Sequence, residues 1–427
     1  MCENKRDYKE QFKKVLEEEL IPAMGCTEPI AVAYCAALAR NTLGAFPERV
    51  EVSVSGNIVK NVKSVIVPNT GGMKGIEAAA VAGIVAGDAE KKLEVISTVT
   101  EKQKKEIAVS LKEIPVTVSA LTGEEKFDII VRLYKNQEEA SVRITHNHTN
   151  VVWIEKNRKR IFEKEMTDTS VTEKQKEDYS WMTVENIFDY ASNTDLTEIE
   201  PLLERQVAYN TAISEEGLKG NWGANIGKVL LYADKSIRQR AKAAAAAGSD
   251  ARMSGCEMPV VINSGSGNQG MTVSLPVIEY AKALRCPKEK LYRALLISNL
   301  IAIHQKKGIG CLSAYCGAIS AGAAAGCGIA YLYCESLDAI VHTLVNALAI
   351  TSGIVCDGAK PSCAAKIAAG VDAGILGYEM YVHGQQFMGG DGIVLKGVEN
   401  TIHNVSRLGA EGMKETDKTI IQMMTGE

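Results

Sequence analysis

Hydrophobic positions near the start of the chain recur every three or four residues and then change to alternation. Their helical spacing over residues 8–20 predicts an amphipathic helix, and Thr27 can cap a second helix over about residues 28–41. Over residues 50–67 apolar residues alternate with polar ones and many are β-branched, which is typical of a strand. This segment leads into a turn of Pro, Asn and Gly residues at 68–72. The start of the chain therefore predicts two helices followed by a sheet.

The region that follows mixes both periodicities. Two stretches have helical spacing, four are rich in β-branched and aromatic residues, and a polar hairpin tip comes after the last of these. The predicted helices are 74–86 and 100–113, the predicted strands are 115–119, 127–134, 140–145 and 151–155, and the hairpin tip is 157–160. Residues 46–165 are therefore predicted to form an α+β domain.

After a charged stretch at residues 163–179, the pattern is helical almost to the end of the chain. The predicted helices are 184–190, 202–213, 226–247, 270–284, 288–303, 312–331, 337–350, 362–377 and 394–408. The predicted fold class is α+β, with an N-terminal α+β domain at 46–165 and a mostly helical C-terminal catalytic domain at 180–427. Residues 1–45 are predicted to be helices that carry Cys26 and pack on the catalytic domain.

The charge balance argues against a nucleic-acid or membrane partner. The chain has 427 residues, with 48 Lys and Arg against 52 Asp and Glu and a formal net charge of -4, so no global field attracts nucleic acid or an anionic membrane. Residues 1–20 are charged, and no uncharged apolar run is long enough to span a bilayer. We therefore expect a soluble, cytoplasmic protein whose partner is a small molecule. Alanine and glycine dominate residues 317–328, which would let backbones approach closely and suggests a homodimer.

Four of the cysteines stand at predicted helix starts and loops. Cys26 precedes the helix that Thr27 caps, Cys316 lies near a helix start, and Cys356 lies in a loop of Gly, Asp and Pro. Cys363 falls in the first turn of the next helix, where the helix dipole favours a thiolate. Thiolates that converge in a reducing compartment hold a soft metal or do chemistry, so we interpret these four as an iron-sulfur site. A buried apolar role, which is typical of free cysteine, is expected for Cys35, Cys256, Cys286, Cys327 and Cys334.

A run of small polar residues at 262–270 has the character of an anion-binding loop. It contains G-x-G-x-x-G, but the dinucleotide fingerprint needs a second parallel strand, and residues 288–303 predict a helix instead. The N–H groups of such a loop at a helix N-terminus can grip a substrate carboxylate. A flexible connection is the alternative interpretation. The candidate substrate-binding residues are Asn263, Ser264, Gly265, Ser266, Gly267 and Asn268.

Arginine and histidine supply two further candidates for substrate binding, Arg252 and His148. Arg252 can form a bidentate pair with a carboxylate, either that of the substrate or that of Asp250. His146 and His148 are two of only six histidines, and they could bind a metal, shuttle a proton or lie in a surface turn. No H-E-x-x-H motif, Walker A loop or G-x-S-x-G motif occurs, which removes the usual support for zincin, NTPase and serine hydrolase functions.

The motifs around these residues together resemble the L-cysteine desulfidase family, which is related to the α chain of iron-sulfur-dependent L-serine dehydratase. The resemblance covers nearly the whole chain, and its motifs are long. They are Gly25-Cys26-Thr27-Glu28-Pro29, His148-Thr149-Asn150, Ser249-Asp250-Ala251-Arg252-Met253, the run from Asn263 to Gly270, Leu312-Ser313-Ala314 through Cys316, and Cys356-Asp357-Gly358-Ala359 through Cys363.

The resemblance implies an oxygen-sensitive [4Fe-4S] cluster held by Cys316, Cys356 and Cys363, with one iron left open for substrate. It also implies release of pyruvate and ammonia, with Cys26 as a ligand or as the base. The chain departs from the dehydratase pattern at residues 423–427, which lack the C-terminal cysteine that caps the open iron in some dehydratases. We therefore expect the fourth iron site to be open or occupied by Cys26.

The chemistry of the leaving group favours L-cysteine as the substrate. A leaving thiol has a pKa of about 8.5, against about 15.7 for water as the parent of hydroxide, and a thiolate prefers a soft metal. The expected reaction is β-elimination from L-cysteine to sulfide, pyruvate and ammonia. The alternatives are an L-serine dehydratase with the same cluster, a pyridoxal phosphate lyase that uses Lys360 or Lys366, and a non-enzymatic thiol-rich redox sensor or small-molecule binding protein.

Overall fold

The computed structural model describes residues 8–123, 125–164, 179–310 and 312–425. Most of the charged stretch that is predicted to separate the two parts of the chain lies outside the described residues, as does Cys311. None of the helices in the described ranges combines the length and apolar character needed to cross a bilayer.

The N-terminal segment forms two helices joined by a short strand. Helix α1 spans Lys9–Glu19, strand β1 spans Pro22–Met24 and helix α2 spans Thr27–Leu43. Helix α2 is buried along most of its length and ends at Gly44, which has a left-handed φ of 76°. Both predicted helices are confirmed, although β1 was not anticipated.

A six-stranded mixed sheet packs on α2. Its strands are β2 Arg49–Val54, β3 Val116–Ala120, β4 Asp128–Lys135, β5 Glu138–Thr145, β6 Val151–Lys156 and β7 Lys159–Glu163. The order across the sheet is β3-β2-β4-β5-β6-β7, and only β2 and β3 are parallel. The alternation in β2 buries every second residue, all of them valines, which explains why the period of the strand was visible in the sequence. The helices α3 Gly56–Val62, α4 Gly75–Ala86 and α5 Glu101–Glu113, with a 3₁₀ turn at Ala89–Glu94, connect β2 to β3.

The predicted continuation of the strand over residues 58–67 is wrong, because helix α3 occupies its first half and no strand follows in the second half. The polar residues of this helix are buried in specific contacts that a local pattern does not reveal. The side-chain amide of Asn57 donates to the carboxylate of Asp417 at 2.6 Å, and Lys60 forms a buried ion pair with the same carboxylate. Contacts with the far end of the chain thus override the β-branched preference of this segment.

The second part of the chain is helical, as predicted, apart from one short strand. Its elements are α6 Val184–Asn193, α7 Glu200–Lys219, α8 Ile226–Ala233, α9 Ile237–Met253, β8 Pro259–Val261, α10 Gly267–Leu284, α11 Lys288–Ile309, α12 Gly317–Tyr333, α13 Leu337–Thr351, α14 Cys363–Val382, α15 Val398–Arg407 and α16 Lys414–Thr425, with a π turn at Leu408–Gly412. The α+β fold class is therefore confirmed. Strand β8 pairs antiparallel with β1 and so joins the N-terminal segment to the helical part.

Three details of the helical prediction need correction. The single helix predicted for 226–247 is two helices, because Asp234 is extended and Ser236 caps α9 through the N–H of Gln239. Helix α12 begins at Gly317, whereas the prediction began at 312. Helix α16 was not predicted.

The glycines of α12 let this helix touch the backbone of α14. A Cβ atom at Gly374 would lie 2.2 Å from the carbonyl oxygen of Gly322, and one at Gly326 would lie 2.4 Å from the carbonyl oxygen of Gly374. The close approach that the Ala- and Gly-rich sequence of α12 suggested is thus used within one chain. The homodimer stays a prediction.

We expect Gly374→Ala to destabilise the protein by about 1–3 kcal/mol, because the two helices must separate to admit a methyl group. The midpoint of thermal unfolding should fall by several degrees. Gly123→Ala is the matched control, because a Cβ atom there meets nothing within 4 Å. Equal melting temperatures for the two variants would contradict the tight packing of α12 on α14.

Candidate active site

A cavity of about 840 Å³ lies where the two parts of the chain meet. Its wall consists of the start of α2, the loop between β5 and β6, the end of α9, the loop before α10 and the segments before α12 and α14. This volume is in the range of small-molecule sites. The predicted site residues that line the cavity are Cys26, His148, Arg252, Ser264, Gly265, Ser266, Asn268, Cys316, Cys356 and Cys363.

Four helices begin at this cavity. Cys26 occupies the N-cap position of α2, Ser266 that of α10 and Cys316 that of α12, while Cys363 is the first residue of α14. The first N–H groups of a helix have no partner within the helix, and the helix dipole places partial positive charge at this end. Their convergence favours negatively charged groups in the cavity, either thiolates or a bound carboxylate.

A single β-bridge between Tyr315 and Val355 brings Cys316 and Cys356 together. The N–H of each cysteine donates to a backbone carbonyl oxygen of the opposite segment, at 3.3 Å for Cys316 and 2.6 Å for Cys356. Because side chains alternate along paired segments, the two cysteines, each one residue past the bridge, project from the same side. Such diagonal neighbours are typically about 7–8 Å apart, a spacing that suits two thiolates bound to different atoms of one cluster.

Cys26 and Cys363 come from opposite parts of the chain and meet at the same cavity. They pack into one small cluster with Val65 and Met253. The thiol of Cys363 also lies 3.6 Å from the carbonyl oxygen of Gly358, within hydrogen-bonding distance for sulfur. The fold therefore gathers all four predicted cysteines around one space.

Burial controls the protonation of these thiols. It raises the pKa of Cys26 and of Cys316 to about 12, and it also raises the pKa of Cys363. Burial of the Cys363 thiol thus opposes the thiolate that its position at a helix start favours. The charges of Arg252 at Cys26 and of Lys366 at Cys316 act in the opposite direction. A metal ion is a charge strong enough to deprotonate a coordinating thiol.

Asp357 fixes the loop that carries Cys356. Its carboxylate pairs with the ammonium groups of Lys360 and Lys366, and Lys366 also donates to the carbonyl oxygen of Val355 at 2.9 Å. Burial alone would raise the pKa of Asp357, but the hydrogen bonds from the two lysines lower it. Both amines are thus held in ion pairs with one carboxylate.

Arg252 is a buried cation without a carboxylate partner among the described residues. It is 2% exposed, its Nη1 donates to Oδ1 of Asn268 at 3.2 Å, and its Nε has no hydrogen-bond partner in the described part of the chain. Asp250 is not its partner, because that carboxylate accepts the N–H of Gly227 at 3.0 Å. Burial raises the pKa of Asp250 to about 6. An unpaired buried guanidinium is unfavourable, so the position of Arg252 favours an anionic ligand.

The loop before α10 presents only part of the predicted set to the cavity. Ser264 and Gly265 have left-handed φ values of 51° and 76°, and Ser266 caps α10. Asn263 does not line the cavity, because it is fully buried and its amide donates to a side chain of α11 at 3.0 Å. Gly267 lies beneath the buried guanidinium, where a Cβ atom would come within 2.4 Å of Nε. Both residues shape the loop, and neither contributes a side chain to the wall.

The formal G-x-G-x-x-G in this loop does not stand in a dinucleotide-binding context. The preceding strand, β8, pairs antiparallel with β1 in a two-stranded sheet, and the next element after α10 is helix α11. The fingerprint requires a parallel strand at that place. The structure therefore supports the rejection of a nucleotide site.

The two histidines of the loop between β5 and β6 have different surroundings. His146 has a φ of 67°, is exposed, and its Nε2 lies 3.5 Å from the carboxylate of Glu125. His148 packs against the ring of Phe127 with 4.8 Å between centroids, and its buried Nε2 has no partner within the described ranges. Burial lowers the pKa of His148, which favours the neutral form of this imidazole. A shared metal site for the pair has no support in this geometry.

Other polar residues of the cavity were not singled out from the sequence. They include Glu28, Asn61 and Gln269, together with the buried Lys60. Glu28 stands inside a motif that was noticed for its cysteine. Asn61 and Lys60 fall in α3, where a strand was predicted, so their position at the cavity was not expected.

The donor set fits an iron-sulfur cluster better than a single metal ion. Within the described residues, no group of three or more Cys, His, Asp or Glu side chains is close enough to hold one metal ion. A mononuclear ion needs ligands that meet at about 2.0–2.3 Å from one point, whereas the cysteines of a [4Fe-4S] cluster each bind a different iron. Separated thiols around one cavity are therefore compatible with a cluster.

Comparison with known proteins relates the whole chain to one group. The profile of the family described as "Serine dehydratase alpha chain" matches residues 90–422. Similar proteins include a "UPF0597 protein" of Desulfitobacterium hafniense, 55% identical over 98% of this chain and 97% of that protein, and one of Lachnoclostridium phytofermentans, 52% identical over 96% and 98%. Another, of Finegoldia magna, is 50% identical over 97% of this chain and 99% of its own length.

Proposed function

Because the chain belongs to the serine dehydratase alpha chain family, a family of lyases, we propose that it catalyses β-elimination from L-cysteine with the help of a [4Fe-4S] cluster. The products would be sulfide, pyruvate and ammonia. The observation that carries the proposal is the meeting of four cysteines and one unpaired buried arginine at a single cavity.

Cys316, Cys356 and Cys363 would hold the cluster, and Cys26 would be a fourth ligand or the base. When bound, the cluster would supply a Lewis-acidic iron for the leaving heteroatom of the substrate. The four converging helix N-termini would stabilise the negative charge of the thiolates. A cluster on thiolates requires a reducing compartment, so the proposal places the protein in the cytoplasm.

Arg252 would bind the substrate carboxylate through its guanidinium, and the backbone of residues 264–266 would orient it from the start of α10. The α-carbon would then face the cavity that Cys26 also lines. Removal of the α-proton and loss of the β-substituent as sulfide give 2-aminoacrylate. That product takes up water to release pyruvate and ammonia.

The charge and softness of the site favour L-cysteine over L-serine. The pKa of a thiol is roughly seven units below that of water, so a thiolate is a better leaving group than hydroxide. A thiolate also binds a soft metal more strongly than hydroxide does. L-serine is the second candidate substrate, and the name of the matching family supports it.

We expect anaerobically purified protein to release sulfide and pyruvate from L-cysteine in equal amounts, with a kcat/KM at least about tenfold higher than that for L-serine. The leaving-group difference is the physical reason. Sulfide and pyruvate are measured in parallel, with iron and acid-labile sulfide determined on the same sample.

Faster turnover of L-serine would replace the proposed substrate and keep the lyase chemistry. Cluster-loaded protein that turns over neither amino acid would refute the lyase assignment and favour a redox or binding role. Activity that survives without iron but needs pyridoxal phosphate would refute the cluster.

A further inference from the structure

Glu28 is a carboxylate in the cavity that has no cation partner among the described residues. Its Oε1 accepts a hydrogen bond from the amide of Asn61 at 3.0 Å. Its Oε2 lies 3.1 Å from the hydroxyl of Thr27, whose one proton is shared with the carbonyl oxygen of Gly265 at 2.9 Å. Both donors are neutral. They fix the orientation of the carboxylate and leave its negative charge unbalanced.

Asn61 adds a second acceptor beside this carboxylate. The residue is 7% exposed and lines the cavity, and its Oδ1 is buried without a hydrogen-bond partner in the described part of the chain. The amide orientation follows from its neighbour, because Nδ2 must face Glu28 for a hydrogen bond to form. A buried amide oxygen without a donor is unfavourable, so this position favours a ligand that donates hydrogen bonds.

The same cavity also contains an unbalanced positive charge, because Arg252 is a buried guanidinium without an anionic partner among the described residues. Glu28 and Arg252 both line this cavity, and the charges of both act on Cys26 and on His148. One unpaired anion and one unpaired cation complement the two charged groups of an α-amino acid. A ligand with a carboxylate alone would satisfy only one of them.

We propose that Glu28 and Asn61 form the subsite for the α-ammonium group of the substrate, in the cavity that Arg252 also lines. This inference rests on the proposed amino-acid lyase function and specifies how the site selects α-amino acids from other small carboxylic acids. The ammonium donates to a carboxylate oxygen of Glu28 and to Oδ1 of Asn61. Glu28 is therefore a specificity residue and takes no part in the removal of the α-proton.

The test compares two ligands that differ only in the ammonium group, L-alanine and propionate. Neither has a leaving group, so binding to the anaerobic holoenzyme is measured by titration calorimetry without turnover. We expect Glu28→Gln to weaken L-alanine binding by about tenfold to a hundredfold, the loss typical of a hydrogen bond to a charged group. Propionate binding should change by less than about threefold. Glutamine keeps the partners of Glu28, because its amide can still bond Thr27 and Asn61.

Asn61→Ala is the second variant, and it should weaken L-alanine binding by about tenfold with little effect on propionate. Glu138→Gln is the matched control, because this exposed residue of β5 lies outside the cavity. Iron content is measured for every variant.

The subsite is refuted if both variants bind L-alanine as the unchanged protein does, or if they weaken both ligands equally. It is also refuted if the unchanged protein binds L-alanine no better than propionate, even when it has lyase activity. A retained preference for L-alanine without turnover of cysteine or serine would refute the lyase function and leave the ammonium subsite standing. The two failures are thus distinguishable.

Discussion

Replacing Cys356 by serine is expected to remove iron and lyase activity together. Cys356 lies across one β-bridge from Cys316 on the same side of the paired segments, so the two thiols serve one ligand set. A serine hydroxyl has the same shape, but it is a hard ligand that does not ionise readily, and soft thiolates are what iron-sulfur clusters require. We expect iron and acid-labile sulfide to fall to a small fraction of the unchanged protein, and the rate of sulfide release to fall at least about a hundredfold.

The fold should survive this change. Cys356 is half-buried, and its hydrogen bond across the bridge uses its backbone N–H rather than its thiol. Circular dichroism and thermal melting of the iron-free proteins check this point. Cys286→Ser is the matched control, because this half-buried cysteine lies just after α10 and does not line the cavity. A Cys356→Ser variant with normal iron content and normal activity would overturn the ligand assignment.

The sequence predicted the fold where local periodicity and burial agree. The alternation in β2 and the helical spacing in α1 are each explained by one buried face. The same reasoning wrongly predicted a strand where helix α3 lies. Polar residues of this helix contact Asp417, which is more than three hundred positions away along the chain. The pattern of residues within one segment gives no information on a contact between residues so far apart in the sequence.

In the candidate site, too, some features could be predicted from the local sequence and others depend on distant contacts. The positions of Cys26 and Cys363 at helix starts could be predicted from local signals, and the structure has them there. The raised pKa of Cys363 could not be predicted from the sequence, because desolvation of the thiol depends on which residues pack around it. Their positions at helix starts and in a loop, together with the resemblance, suggested that the cysteines share one site. The unpaired states of Glu28 and Arg252 became visible only when their neighbours were known.

Replacing Arg252 by methionine is expected to abolish substrate binding without destabilising the protein. The guanidinium is 2% exposed and has no described carboxylate partner, so the substrate-free protein carries an uncompensated buried charge. Methionine keeps much of the apolar volume and removes the charge, so the cost of burying an unpaired cation is no longer present. The loss of charge-assisted hydrogen bonds to the substrate carboxylate should lower kcat/KM by about a hundredfold to a thousandfold. Chemical denaturation of the substrate-free protein and steady-state kinetics of the holoenzyme measure the two effects.

Arg240→Met is the matched control, because this arginine lies on the same helix, α9, is exposed, and faces Glu279 at 4.0 Å. We expect it to leave kcat/KM unchanged and to alter the free energy of unfolding by less than about 0.5 kcal/mol. If Arg252→Met instead lowered the unfolding free energy by several kcal/mol, Arg252 would be a structural ion-pair partner within the chain. The unchanged or higher free energy of unfolding and the lower kcat/KM that we expect for Arg252→Met have one cause. Arg252 is a buried cation without an anion in the substrate-free protein, and the substrate carboxylate supplies that anion.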